Sequence, residues 1–427
     1  NMQKVALTAL AGTSIEWYDF FLYGAAAALI FPTAFFGEMP PTTALLLSLL
    51  TFAAGFIARP IGGIIFGHFG DKVGRKKTLI SALMLMGISS TLIGLLPTYA
   101  MIGVAAPILL TTLRFAQGLA IGGQWGGAML LVTESAPSDQ RGYYGAFAQA
   151  GAPIGVILAN LALIITSALV SEEFFNTWGW RIPFLASAVL ILISMYIQLN
   201  LEDTDAFKAL VDNKDTQSDE NIKKSPVVEA IRKYPKRIFL AAGAFLSVQV
   251  TFYILIAFML AYGVTSANMA RDDMLAAVLI ASAIMVPVQF IFSSYSDRHG
   301  RKGIFMSGAV LTGIWAFAIF PLVDTGNFYL IVLAITGGLV FLAMMYGPQA
   351  AFFTELFSTE VRYSGATLGY QFGAIVGGAF APTIAVKLWT EFDIIWVSAY
   401  IALASLLTLL SVMALTETYQ SDLNNTD

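Results

Sequence analysis

Runs of about twenty or more apolar residues recur twelve times along this chain. A run of that length has one way to satisfy its backbone in a bilayer, which is to coil into a spanning α-helix. The runs lie at about 6–31, 44–67, 78–97, 101–132, 143–170, 182–201, 238–264, 274–295, 303–323, 328–355, 364–388 and 393–415. With 57% hydrophobic and only 12% charged residues, a globule could not hide the apolar surface. The expected fold class is an all-α membrane protein of twelve transmembrane helices. The first run is longer than the apolar core of a signal peptide and reads as a retained span; the chain begins at Asn1, which reads as a trimmed N-terminus.

Charge placement orients the spans. Lys4, the cluster Lys72, Arg75, Lys76 and Lys77, then Arg141, the basic residues of the segment between the sixth and seventh runs, Arg298, Arg301, Lys302 and Arg362 all fall in alternate loops, eighteen of the 23 basic residues. The opposite loops carry mainly acids, among them Glu38, Glu172, Asp272, Asp324 and Asp393. Basic loops stay on the cytoplasmic side, so both termini are expected in the cytoplasm of a bacterial cell, with the chain in its inner membrane and in contact with lipid. There is no cysteine, which excludes disulfides, thiolate metal sites and cysteine nucleophiles, and the two histidines, His68 and His299, sit in basic loops. No metal or organic cofactor is expected, and a net charge of −4 gives no sign of a nucleic-acid partner.

One basic loop is repeated. Gly67-His-Phe-Gly-Asp71-Lys-Val-Gly74-Arg75-Lys76-Lys77 returns as Ser293-Ser-Tyr-Ser-Asp297-Arg298-His-Gly300-Arg301-Lys302, the two aspartates being 226 residues apart, about half the chain. Glu134…Arg141 is echoed by Glu355…Arg362, and Gln149-x-Gly151 by Gln371-x-Gly373. The chain therefore divides into a bundle over 1–201, a hydrophilic linker over 202–237 and a second bundle over 238–427, with a surface helix expected around Pro226 to Lys233. A topology signal alone explains Lys76 and Lys77, but not the glycines or Asp71. Asp71 can accept hydrogen bonds from amides at the start of the eleventh helix, and Arg75 can pair with Glu134. Gly67, Asp71, Gly74, Arg75, Glu134 and Arg141, with Asp297, Arg301, Glu355 and Arg362 in the copy, are the candidate conformational latch.

The repeated halves and the Asp71 loop resemble the major facilitator superfamily. Glu16-Trp-Tyr-Asp19-Phe, Ala58-Arg59-Pro60-Ile-Gly62, Arg114-Phe-Ala-Gln117-Gly118 and Trp178-Gly-Trp180-Arg181-Ile-Pro183-Phe are similar to its metabolite:proton symporter family. The resemblance implies a monomeric symporter that imports shikimate, citrate, 2-oxoglutarate or another carboxylate, or else proline or betaine, together with protons. It also implies that the loop latch closes the inner face. Two departures stand out: Gly122-Gly123-Gln124-Trp125 has glutamine where the family often has glutamate, and Glu202-Asp203-Thr204 replaces Glu-Ser-Pro. An osmolyte carrier is the runner-up, although the chain ends about ten residues after its last run, without the long helical tail of osmosensing relatives. A membrane-embedded enzyme or a channel is the other class; no metal cluster, phosphate loop or histidine beside a nucleophile supports the enzyme.

Polar groups at membrane depth carry the functional reading. Asp19 lies mid-span, where an ionised carboxylate is costly unless paired or wet. Glu16 and Tyr23 fall one turn to either side on the same face, a stripe suited to a cavity wall. Asp19, with Glu16, is the expected proton-coupling acid. Arg114, the deepest cation, is its expected partner, freed on protonation to grip a substrate carboxylate bidentately. Gly118, Gly122 and Gly126 follow Arg114 at four-residue spacing and read as a packing stripe. Arg59 is either a second carboxylate contact or a snorkelling charge. Trp17, Tyr23, Gln117, Gln124, Gln149, Gln249, Tyr253, Tyr346, Gln349 and Gln371 are the expected cavity lining, together with Asn160, Gln289 and Tyr370.

Overall fold

The computed structural model describes residues 2–73, 75–122, 132–133, 135–202, 226–358 and 362–420. Its long helices are α1 (Met2–Leu29), α2 (Pro41–Val73), α3 (Arg75–Leu95), α4 (Ala105–Gly122), α5 (Arg141–Leu169), α6 (Arg181–Glu202), α7 (Pro235–Thr265), α8 (Arg271–His299), α9 (Arg301–Asp324), α10 (Phe328–Glu355), α11 (Arg362–Gly373, continuing to Glu391) and α12 (Ile395–Ala414). Nine pass as spans on length and apolarity, and a tenth does so as the bent pair Glu172–Gly179 and Arg181–Ile197, which turns by 56°. The two remaining helices have evident reasons to fall short. α1 carries Lys4, Glu16 and Asp19, and α3 is apolar only over Ile80–Leu95. The eight-residue surface helix forms at Pro226–Lys233.

The repeat read in sequence reappears as packing. α1 packs on α5 and α6, α2 on α4, and α3 on α4 and α6; in the second half α7 packs on α11 and α12, α8 on α10, and α9 on α10 and α12. Each of these first-half pairings returns six helices later. The halves meet where α5 packs on α8 and α10, α2 on α11, and α1 on α7.

Lipid gives helices little hydrophobic reason to associate, so contact depends on close backbone approach. Gly118 of α4 rests on the Gly55 carbonyl of α2, Gly122 on that of Arg59, and Gly62 on that of Leu119. The repeated Gln-x-Gly pair has the same use. Gly151 seats Thr13 of α1 on α5, and Gly373 seats Phe245 of α7 on α11. Because a Cβ at position 118 meets backbone and not a mobile side chain, Gly118→Leu is expected to cost more than the roughly 1–3 kcal/mol of ordinary overpacking. Melting in detergent measures this. Gly303→Ala is the control, since a methyl there meets nothing within 4 Å.

Among the described residues three π-turns interrupt the helices, at Phe175–Gly179, Ile254–Phe258 and Ala374–Ala379. Such turns are frequent at functional sites, and those in α7 and α11 directly follow Tyr253 and Gly373. After the first, Arg181 turns its guanidinium onto the carbonyls of Gly94 (3.2 Å) and Leu96 (2.5 Å), capping α3. The Trp-Gly-Trp-Arg motif thus has a structural use at the start of α6.

Candidate functional site

Asp19 is fully buried in α1, but it does not meet Arg114. Its Oδ1 accepts a short hydrogen bond from Ser187 Oγ of α6, with Ser90 of α3 beside it, and its Oδ2 has no hydrogen-bond partner among the described residues. The direct ion pair expected from sequence is not formed. The cause is the rotation of α1, which turns Asp19 toward α3 and α6 inside the first bundle. Tyr23, four residues on, instead reaches α2, where its hydroxyl donates to Thr51 Oγ1 at 2.6 Å. The stripe of Glu16, Asp19 and Tyr23 is therefore split between neighbours, with Glu16 half-buried.

Arg114 is linked through Gln117 to Ser90, which stands beside Asp19. Its Nη1 donates to Gln117 Oε1 (3.2 Å), and Gln117 Nε2 donates to Ser90 Oγ (2.7 Å). Arginine can only donate, so the amide oxygen of Gln117 must face it and the amide nitrogen must face Ser90. Ser90, having accepted, keeps its own hydrogen for the carboxylate next to it. Arg114 also donates to the backbone oxygens of Phe52 and Phe20, and its guanidinium carbon stands 3.8 Å from the centre of the Phe20 ring and 4.5 Å from that of Tyr23. Its Nη2 has no hydrogen-bond partner, and no acid pairs with it among the described residues.

Arg59 of α2 stays inside the protein. It is 1% exposed, so it does not snorkel. Its guanidinium packs on the rings of Trp17 (4.9 Å), Phe20 (4.3 Å) and Phe56 (4.5 Å). Tyr253 of α7 packs edge-on against Phe56 at 4.9 Å, and the hydroxyls of Tyr253 and Tyr370 approach this guanidinium from the second half. Phe20, which was not singled out in sequence, serves both arginines.

Between the halves the cavity is closed down to about 10 Å³, lined by Trp17, Phe21, Gln249, Phe252, Tyr253 and Tyr346 among others. That is room for about one water. Gln249 is thus in the lining, as are Tyr346 and Tyr370. Gln149 instead ties the halves together by donating to the Tyr346 carbonyl at 3.3 Å, and Asn160 does the same to Leu275 at 3.1 Å. The side-chain oxygens of Gln249, Gln349 and Gln371, and both polar atoms of Gln289, are buried without hydrogen-bond partners among the described residues. Gln124 lies outside the described residues.

At the end that carries the basic loops, the second copy of the repeated loop closes the halves on each other. Asp297 accepts from the backbone amides of Gly142 (2.7 Å) and Tyr143 (3.0 Å), capping α5 across the interface. Arg301 grips Glu355 through Nε (2.6 Å) and Nη2 (3.0 Å) and holds Asp297 at 3.0 Å. Arg141, from the first half, pairs with Oε2 of the same Glu355 at 2.9 Å, an oxygen it shares with Arg301 Nη2. Sequence reading missed the chain's last described residues: Glu417 accepts from the amides of Arg301 and Lys302, Thr418 donates to Glu355, and the Tyr419 carbonyl accepts from Arg141. An acid just beyond the last span and beside a basic loop was the available signal. The side chains of Asp71, Arg75 and Arg362, together with Gly74 and Glu134, lie outside the described residues; Gly67 belongs to α2. At the opposite end Arg271 joins the halves by a two-pronged grip on Glu172 (3.0 and 3.1 Å) over the Phe175 ring.

The family model of the Major Facilitator Superfamily matches residues 9–368. The chain is 40% identical over 430 residues to the inner membrane metabolite transport protein YhjE of Escherichia coli K12, covering 99% of this chain and 96% of that protein. It is 37% identical to the shikimate transporter of the same organism, covering 94% and 91%. Among solved structures, a D-xylose-proton symporter superposes with a TM-score of 0.76 at 16% identity, over 98% of each chain. Family model, relatives and the sixfold-offset pairing of the helices agree, and the chain belongs to the Major Facilitator Superfamily.

Proposed function

We propose that this chain imports a small organic acid together with protons, by alternating access between a bundle over 1–201 and one over 238–427 joined by a linker over 202–237. The end with the basic loops is taken as cytoplasmic, and both termini with it. The described state is then closed at the cytoplasmic face, and rocking of the halves must reopen the centre to admit cargo. One observation carries the substrate reading. Arg114 is buried at mid-span with a free Nη2 and no acid partner among the described residues, a costly arrangement unless an anion completes it. Asp19 is the proton acceptor in this reading, and Ser90 and Gln117 carry its state to Arg114. The likeness to a shikimate transporter agrees with a hydroxylated carboxylate.

A thermal-shift screen of the purified chain against carboxylates, zwitterions and sugars at two pH values tests the reading. Carboxylates are expected to raise the melting temperature, and more so at the lower pH, where the co-transported proton is bound. Stabilisation by betaine, proline or sugars alone would overturn it.

A further inference from the structure

We propose that the surface helix at Pro226–Lys233 is a docking face for anionic phospholipid, and that lipid held there braces the closed end of the carrier. The helix buries one side and leaves the other bare. Ala230 is fully buried where the helix lies against α11, whereas Val228 and Ile231 on the outer side are 58% and 50% exposed. Arg232 and Lys233 continue that exposed side, and Lys236 follows, exposed as well. Between Pro226 and Arg237 four basic residues stand against the single acid Glu229. An orientation signal explains the charges. It does not explain an apolar strip on the same short helix turned away from the protein. A strip of that kind edged by Lys and Arg belongs in a headgroup layer, with the apolar side chains entering the acyl boundary and the cations reaching the phosphates.

The height of the helix fits. The chain breaks at Tyr234 (φ −131°, ψ 49°) and Pro235 opens α7, whose Phe239 is 77% exposed on the outer surface of a spanning helix. Four helical residues rise roughly 6 Å, which sets the surface helix in the headgroup layer next to that ring. Docking there is felt at the closure. Tyr234 packs edge-on against Phe357 at 5.8 Å, and Arg237 lies over the Tyr234 ring and donates to the Leu356 carbonyl at 2.6 Å. Leu356 and Phe357 directly follow Glu355, which holds Arg141 of the first half and Arg301. Lipid that fixes the surface helix therefore fixes the end of α10 on which the closure depends.

The test uses the full chain with Ile231→Cys carrying an environment-sensitive fluorophore; no native cysteine competes. It is placed in nanodiscs of phosphatidylcholine to which a small fraction of acyl-brominated phosphatidylglycerol or phosphatidylcholine is added. The brominated anionic lipid is expected to quench at least about threefold more than the brominated zwitterionic one, and 1 M salt, which cuts the screening length to about 3 Å, is expected to bring the two together. Arg232→Gln with Lys236→Gln is expected to remove the preference and Arg232→Lys to keep it; these positions are exposed, so both variants should fold. Equal quenching by the two lipids would overturn the anionic site. A fluorophore that stays in water and is quenched by neither would also overturn it, and would leave the face to an acidic soluble protein. The brace is read by maleimide labelling of Ala350→Cys, at the interface where Gly145 packs on α10. Phosphatidylglycerol is expected to slow it roughly twofold or more, and an unchanged rate would overturn the brace.

Discussion

In proteoliposomes, Asp19→Asn is expected to lose pH-gradient-driven accumulation by at least about tenfold while counterflow of the same substrate continues. The substitution preserves shape and removes only the titrating group. Asp19 is 1% exposed and takes its hydrogen bond from Ser187, so an amide oxygen can occupy the Oδ1 position without disturbing α6. What cannot survive is the change of charge. On the proposed reading, uptake of a proton by the aspartate alters what Ser90 and Gln117 present to Arg114, and the guanidinium's demand for a substrate carboxylate changes with it. With asparagine, that signal is fixed in its neutral form. Exchange needs only binding and rocking and runs at any pH; net accumulation needs the proton to be taken up at one face and released at the other. Accumulation by Asp19→Asn at the normal rate would remove Asp19 from the coupling path, and a Ser90→Ala variant with unchanged pH dependence would remove the relay even if Asp19 stayed.

The relay shows where sequence reading stopped. Apolar length and the 226-residue repeat carry the twelve spans and their doubling, because those depend on composition and spacing alone. The glycines were legible for the same reason, since a stripe at four-residue intervals has few other uses. The rotation of α1 was not. That helix is surrounded by α2, α5, α6 and α7, is apolar around most of its circumference, and offers no polar face to show which way Asp19 turns. Asp19 and Tyr23 sit four residues apart, yet one meets α6 and the other α2. Ser90 and Ser187 are unremarkable hydroxyls in apolar runs until that rotation is known. Arg59 was undecided because a cation about two turns from a helix end can snorkel or stay; its ring of aromatics comes from α1 and α2 together, a juxtaposition that no local spacing encodes.

The second large effect is expected at the closed end. Glu355 balances Arg141 of the first half, and with Asp297 it balances Arg301; the side chains of Glu355 and Arg301 are 0% exposed and that of Arg141 is 2%. Glu355→Gln leaves both guanidiniums short of charge in a dry interface, and removing one partner from a buried pair costs about 3–5 kcal/mol. The loss falls on the closed state, because an open end lets water reach the arginines. A change of about 3 kcal/mol moves a two-state equilibrium by roughly a hundredfold, enough to make the form open at the basic end predominant. The chain has no cysteine, so a single reporter needs no background removed. Ala350→Cys places one in α10, where Gly145 of α5 packs on it across the interface. Water-soluble maleimide is expected to label this position slowly in the parent chain and at least tenfold faster after Glu355→Gln, and net uptake is expected to fall as the outward-facing form empties. Substrate should slow the labelling again if it stabilises the shut state. Equal labelling rates in the two chains would mean that Asp297 on the α5 amides holds the face closed without help from the arginines, and Asp297→Asn would then have to produce the opening that Glu355→Gln did not.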